Sequence, residues 1–207
     1  MSSTSTKSFP PRWRHSDHWK VAMTTQAITT ADFGPSYAER IFQFKVAEPR
    51  RGLIRINVAE EHGDGTVFSL HFRRAPLSLQ RIARREGKEP EETLVENGAR
   101  PFIDEARRLP IIPDFFFIAD PSHLEGRRDF PTDEGTFSQT FQRTPEGWCI
   151  TLEKGDPSGT LRVVMDWKTG DPWWSTMKVQ EIGPGGQPVD TVASGYLLTD
   201  TIREPKP

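Results

Sequence analysis

The sequence predicts an α+β protein, mainly antiparallel β, in which two β-meanders form one curved sheet packed on a short helical insertion. Three observations predict it. Apolar and polar side chains alternate through Arg40–Glu48, Leu53–Ala59 and Thr66–Arg73. The alternation returns in Trp148–Leu152 and Leu161–Met165. Between the two blocks the apolar spacing lengthens to that of a helix face. A period of two puts every second side chain on one face of a strand, so each block reads as half-buried strands.

An earlier strand is expected over 18–28, where Trp19, Val21 and Met23 alternate with Lys20 and Ala22. In the first meander a turn at Pro49–Arg51 sets Val46 against Ile54, Phe44 against Ile56 and Phe42 against Val58. A second turn through Gly63-Asp64-Gly65 sets Val58 against Phe68, Ile56 against Leu70 and Ile54 against Phe72. Both registers gather the large side chains on one face, and a one-residue slip would send them to the other. From Ala75 the positions of Leu77, Leu79, Ile82 and Ala83 fit a helix ending near Gly87. Pro90, followed by Glu91 and Glu92, reads as the start of a second helix reaching Asn97. A short turn over 101–108 completes an insertion spanning about 75–108, and 109–135 reads as irregular and rich in proline and phenylalanine.

In the second block Phe137 and Phe141 mark one strand. A turn through Lys154–Gly159 sets Leu152 against Leu161, Ile150 against Val163 and Trp148 against Met165. A further turn, Lys168-Thr169-Gly170-Asp171-Pro172, sets Trp167 against Trp173, Val163 against Met177 and Leu161 against Val179. Gly183–Gly186 closes a last hairpin into Val189–Thr201. About eight or nine strands with one apolar face make a half-barrel, with a two-sheet sandwich or a closed barrel as alternatives. In outline, a half-barrel over helices resembles bacterial lipoprotein carriers, a likeness of fold with no motif behind it.

The 207 residues suit one domain over 13–203, between polar tails at 1–12 and 204–207. A hydrophobic content of 34% is low, and six tryptophans with thirteen phenylalanines offset it, since each buries a large area. The formal charge of -2 gives no general attraction to nucleic acid. No apolar run approaches the roughly 20 residues of a membrane helix, and the first residues hold no signal peptide. The chain is therefore expected to be soluble, with its compartment left open.

No catalytic constellation is visible. Cys149 is the only cysteine, which excludes an intrachain disulfide, and its parity places it opposite Trp148 and Ile150 as an inert thiol. His15 and His18, with Asp17, are too few and too close to the tail for a metal site. His62 belongs to a charged turn, and His71 is an outward strand residue beside Arg55 and Arg73. Asp114, Asp120, Asp129, Asp133 and Glu134 would be the acids of a hydrolase, but loop acids are ordinarily solvated. Arg73, Arg74, Arg81, Arg84 and Arg85 are followed directly by Glu86, Glu89, Glu91 and Glu92, so a self-paired surface is expected. Neither metal nor cofactor is called for.

The aromatics remain. Trp167, Trp173 and Trp174 flank one tight connection, and Phe115, Phe116 and Phe117 stand together in the irregular segment. Trp167 and Trp173 pin a hairpin as a cross-strand pair, while Trp174, of opposite parity, serves as an exposed rim if its indole is free. The leading expectation is a non-enzymatic binding domain that holds an apolar or amphipathic small ligand between the aromatic sheet face and the helices. The alternative is a structural or accessory subunit that uses these aromatics to contact a protein partner. A hydrolase comes third.

Overall fold

The computed structural model describes residues 13–27, 36–50, 52–74, 77–96, 125–132, 135–156 and 159–203. These form β1 (His18–Ala27), β2 (Ser36–Arg50), β3 (Leu53–Glu60), β4 (Thr66–Arg74), β5 (Leu77–Glu86) and β6 (Glu92–Glu96). There follow β7 (Gly126–Thr132), β8 (Gly135–Arg143), β9 (Gly147–Asp156), β10 (Gly159–Lys168), β11 (Thr176–Ile182) and β12 (Pro188–Arg203). All twelve join one sheet in the order β6-β5-β4-β3-β2-β1-β12-β11-β10-β9-β8-β7. Every neighbouring pair is antiparallel. The first and last strands pair in the middle, so each meander runs outward from a shared centre.

The fold is therefore all-β, and the expected α+β class is corrected: no helix occurs among the described residues. Neither a sandwich nor a sheet on a helical insertion describes it, and the likeness in outline to lipoprotein carriers loses its helices. The cause of the misreading is local. Phe72 pairs with Leu79 and His71 with Arg81, leaving Gln80 as an extra residue. This β-bulge puts Leu79 and Ile82 on one face at a spacing of three, which imitates a helix. Ala83 points to the opposite face beside Ser69, and both are buried. Glu91 and Glu92, read as acids at a helix start, instead lie 3.1 Å from Arg81 and 2.8 Å from Arg84. Part of the irregular segment is also ordered: β7 lies within it, and its Pro131 suits an edge strand, which lacks a neighbour on one side.

The registers show which turns the sequence placed well. Ile54–Phe72, Ile56–Leu70 and Val58–Phe68 pair as expected. Three other hairpins are displaced by two residues. Val46 meets Ile56 and Phe44 meets Val58. Val163 meets Leu152 and Met165 meets Ile150. Met165 meets Met177 and Val163 meets Val179. A slip of two keeps every side chain on its face, so burial survived the error.

The core lies along that one face. Val21, Met23, Phe42, Phe44, Ile56, Val58, Leu70 and Phe72 are fully enclosed on one side of the centre, and Ile150, Leu152, Met165, Trp167 and Met177 on the other. At one end of the strands, aromatic rings bridge the concavity. Phe72 lies 5.0 Å from Trp13, Trp13 6.0 Å from Trp173 and Trp173 5.8 Å from Trp167, centroid to centroid. This chain of rings connects β4 with β10 across six strand spacings, which requires the sheet to curl about them. Glu96 at the end of β6 and Gly126 at the start of β7 both lie toward this aromatic end.

Candidate functional site

The concave face changes character along its length. At the aromatic end, the connection between β10 and β11 folds over it and is held by side chains. The Trp13 indole donates to Pro172 O at 2.6 Å and the Trp167 indole to Asp171 O at 3.1 Å. Ser175 Oγ donates to Asp171 Oδ2 at 2.8 Å. These bonds drive Trp173 and Trp174 inward. Trp173 packs 4.9 Å from Phe44 and 5.8 Å from Trp19. Trp174 lies over the backbone of Gly195, where an added Cβ would fall 2.9 Å from its Cη2.

Trp167, Trp173 and Trp174 are thus brought together, but inside. Trp167 pairs in the ladder with Trp148, and Trp173 belongs to the connection, so the expected cross-strand Trp167–Trp173 pair is replaced by a tilted ring contact. Trp174 is 0% exposed and offers no rim. Phe115, Phe116 and Phe117 lie outside the described residues, as do Asp114, Asp120 and the 101–108 turn.

Two of the enclosed indoles carry a chemical anomaly. Nε1 of Trp19 and Nε1 of Trp174 are buried and find no acceptor among the described residues. Trp19 is 1% exposed and stacks on Phe44 at 5.3 Å. An N–H enclosed in hydrocarbon without an acceptor costs about 1–3 kcal/mol. Register signalled Trp19 as an inward residue, but burial of its donor is legible only in three dimensions.

Toward the opposite end the inner positions loosen. Phe68, Val163 and Val179 pack against the core yet remain half-buried. Inner-face positions there are also charged: Arg40 pairs in the ladder with Met23, Glu60 with Phe42 and Arg84 with Phe68. Arg40 Nε donates to Glu60 Oε1 at 2.8 Å, a second bond joins its Nη2 to Oε2, and its guanidinium sits 5.0 Å above the Phe42 ring. The hydrogen bond from Arg40 holds the Glu60 carboxyl below its ordinary range, against the opposing effect of burial, and the same bond raises Arg40. Arg40 and Glu60 were not singled out from the sequence; the signal was there, since both continue the inward parity of their strands beyond the last apolar residue.

The remaining expectations resolve as follows. Cys149 faces away from Ile150, opposite Asp166, and burial first, then the Asp166 charge, pushes its thiol up. His71 is on the outer face as expected, in register between Arg55 and Arg81, and is buried there. Asp129 is ion-paired with Arg127 at 3.0 Å on the edge strand. Among the described residues no group of three histidine, cysteine or acidic side chains could hold a metal. Among the described residues there is no helix long and apolar enough to cross a membrane.

A separate groove of about 390 Å³ lies where the sheet forks. The β1–β12 ladder stops at Thr25–Ala193, while β12 continues back to Pro188 along β11. The groove is lined by Thr24 and residues 188–194, and Val189 stands 68% exposed beside it. No protein-family model, curated protein or solved structure matches this chain.

Proposed function

We propose that the protein is a non-enzymatic binding domain whose concave sheet face takes an apolar or amphipathic small molecule at the end opposite the tryptophans. The carrying observation is a strip of inner-face positions that stay half-buried against the core, Phe68 on β4 and the paired Val163 and Val179 on β10 and β11, with Arg84 opposite Phe68 and the Arg40–Glu60 pair also on inward positions. A carbon-lined floor with a few polar groups at its rim is the ordinary composition of a small-molecule site. The aromatic end is closed by its own side chains, so the ligand has only the looser end to enter by.

The test is saturable binding of dodecanoate, followed by tryptophan emission and by native mass spectrometry of the freshly purified chain. The expected result is one retained or titratable ligand. Val163→Glu, which sets a charge on the strip, weakens binding at least tenfold while the far-ultraviolet circular dichroism stays that of a β-sheet. Absence of saturable binding in the wild-type chain, or full binding by the variant, overturns the reading.

A further inference from the structure

We propose that the outer face of β2–β5 docks on an anionic lipid surface through Lys45, Arg55, Arg73 and Arg85. The arginines around β5 are expected to pair with the glutamates that follow them, and the structure achieves this only in part. Arg81 reaches Glu91, and Arg84 reaches Glu86 and Glu92, but Arg84 stands on the inner face. Lys45, Arg55, Arg73 and Arg85 have no acidic partner among the described residues. Register puts all four on the outer face: Lys45 pairs with Asn57, Arg55 with Ala47 and Arg85 with Val67, while Arg73 follows the inward Phe72. Arg55 is half-buried and the other three are exposed. The outer positions between them, Ala47, Asn57, Ala59, Val67, Ser69 and Ala83, carry no charge. Glu39 and Glu61, which approach this side, are already bonded to Tyr196 and Lys20. One exposed acid, Glu48 in the irregular end of β2, stands against four cations. In a chain of formal charge -2, this face is locally positive.

The four cations spread over three strand spacings, about 14 Å, and converge on no pocket, which suits a broad and undirected layer of negative charge. Single-stranded nucleic acid would need exposed rings for its bases. The exposed large hydrophobic residues among those described, Val189 and Tyr196, both lie on β12 instead. The choice of a lipid surface rests on the binding role proposed above, since a molecule with an apolar body resides in membranes and its carrier must reach one to load. Each cation held near anionic headgroups raises adsorption about fivefold, so the four together supply several hundredfold. The attraction is electrostatic throughout, and salt therefore screens it.

The experiment is co-sedimentation of the full chain with vesicles of phosphatidylcholine alone, or with about one-third phosphatidylserine added. The expected result is adsorption to the anionic vesicles only, lost at about 1 M salt, where the screening length falls to about 3 Å. The triple variant Lys45→Gln, Arg73→Gln and Arg85→Gln alters three exposed side chains and adsorbs about a hundredfold less. Lys178→Gln, on the outer face of β11 and four strand spacings from β3, stays within about twofold of the parent, because it lies beyond the screening length. Undiminished adsorption by the triple variant, or adsorption that survives high salt, overturns the inference. Retention of the chain by an oligothymidylate without adsorption to vesicles also overturns it and assigns the patch to nucleic acid. Dodecanoate binding with no adsorption overturns this inference alone and leaves the binding role standing. Salt-sensitive adsorption without dodecanoate binding supports the docking surface and removes the binding role.

Discussion

A methyl group at Gly195 would sit 2.2 Å from Met23 Sδ and 3.0 Å from Ala22 O, besides its contact with Trp174. Glycine is needed there because an indole and a thioether share the space above β12. Gly195→Ala is expected to cost about 1–3 kcal/mol, the usual penalty of overpacking, read from urea unfolding. The Arg40–Glu60 pair supplies a pH signature. Its carboxyl has a lowered pKa in the folded chain, so its stabilisation is present above the ordinary carboxylate range and is lost as pH falls through the lowered value. With both side chains about a third exposed, Glu60→Gln should cost no more than about 1 kcal/mol at neutral pH and should flatten the acid limb of the stability profile. Cys149, its thiol pushed up, should react with iodoacetamide more slowly in the native chain than in denaturant; equal rates would contradict its placement. At this scale the sequence located the inward tryptophans by parity but not their fate. Trp174 looked exposed by alternation because its connection is not a strand, and bonds from Trp13, Trp167 and Ser175 decide where such a segment points.

At the scale of the element, period two was legible wherever a strand was regular and failed where it was not. In β5 the extra Gln80 separates Leu79 from Ile82 by three residues and gives a strand the spacing of a helix. Deleting Gln80 leaves both leucine and isoleucine inward in an unbroken alternation. Deleting Asn57, in a regular ladder between Lys45 and Ser69, turns half of β3 inside out. Thermal melts should therefore show the first deletion tolerated and the second unfolded; equal damage from both would refute the bulge. Turn chemistry was legible where glycine forced it, as in Gly63-Asp64-Gly65, whose hairpin has the expected register. The hairpins displaced by two residues had turn residues at several admissible positions, and the one-faced pattern fits either register.

The scale of the molecule was least legible, because strand order depends on which strands meet after long connections, and alternation is silent on that. The two meanders were visible; their union through β1 and β12 was not. The order implies that joining the termini and opening the chain between β6 and β7 would turn the sheet into one uninterrupted up-and-down meander. Such a circular permutant should fold, since His18 already pairs with Arg203. The same arrangement reverses the ordinary behaviour of chain ends, which are usually the first segments to fray. Native-state hydrogen exchange tests it most directly. The amides of Val21, Ala22 and Met23 and of Gly195, Tyr196 and Leu197, the centre of the sheet, should be among the slowest in the protein, and those of β6 and β7 much faster. Rapid exchange in β1 and β12, with protection confined to β3–β4 and β9–β10, would mean two separate sheets and would contradict the single concave face on which the binding proposal stands.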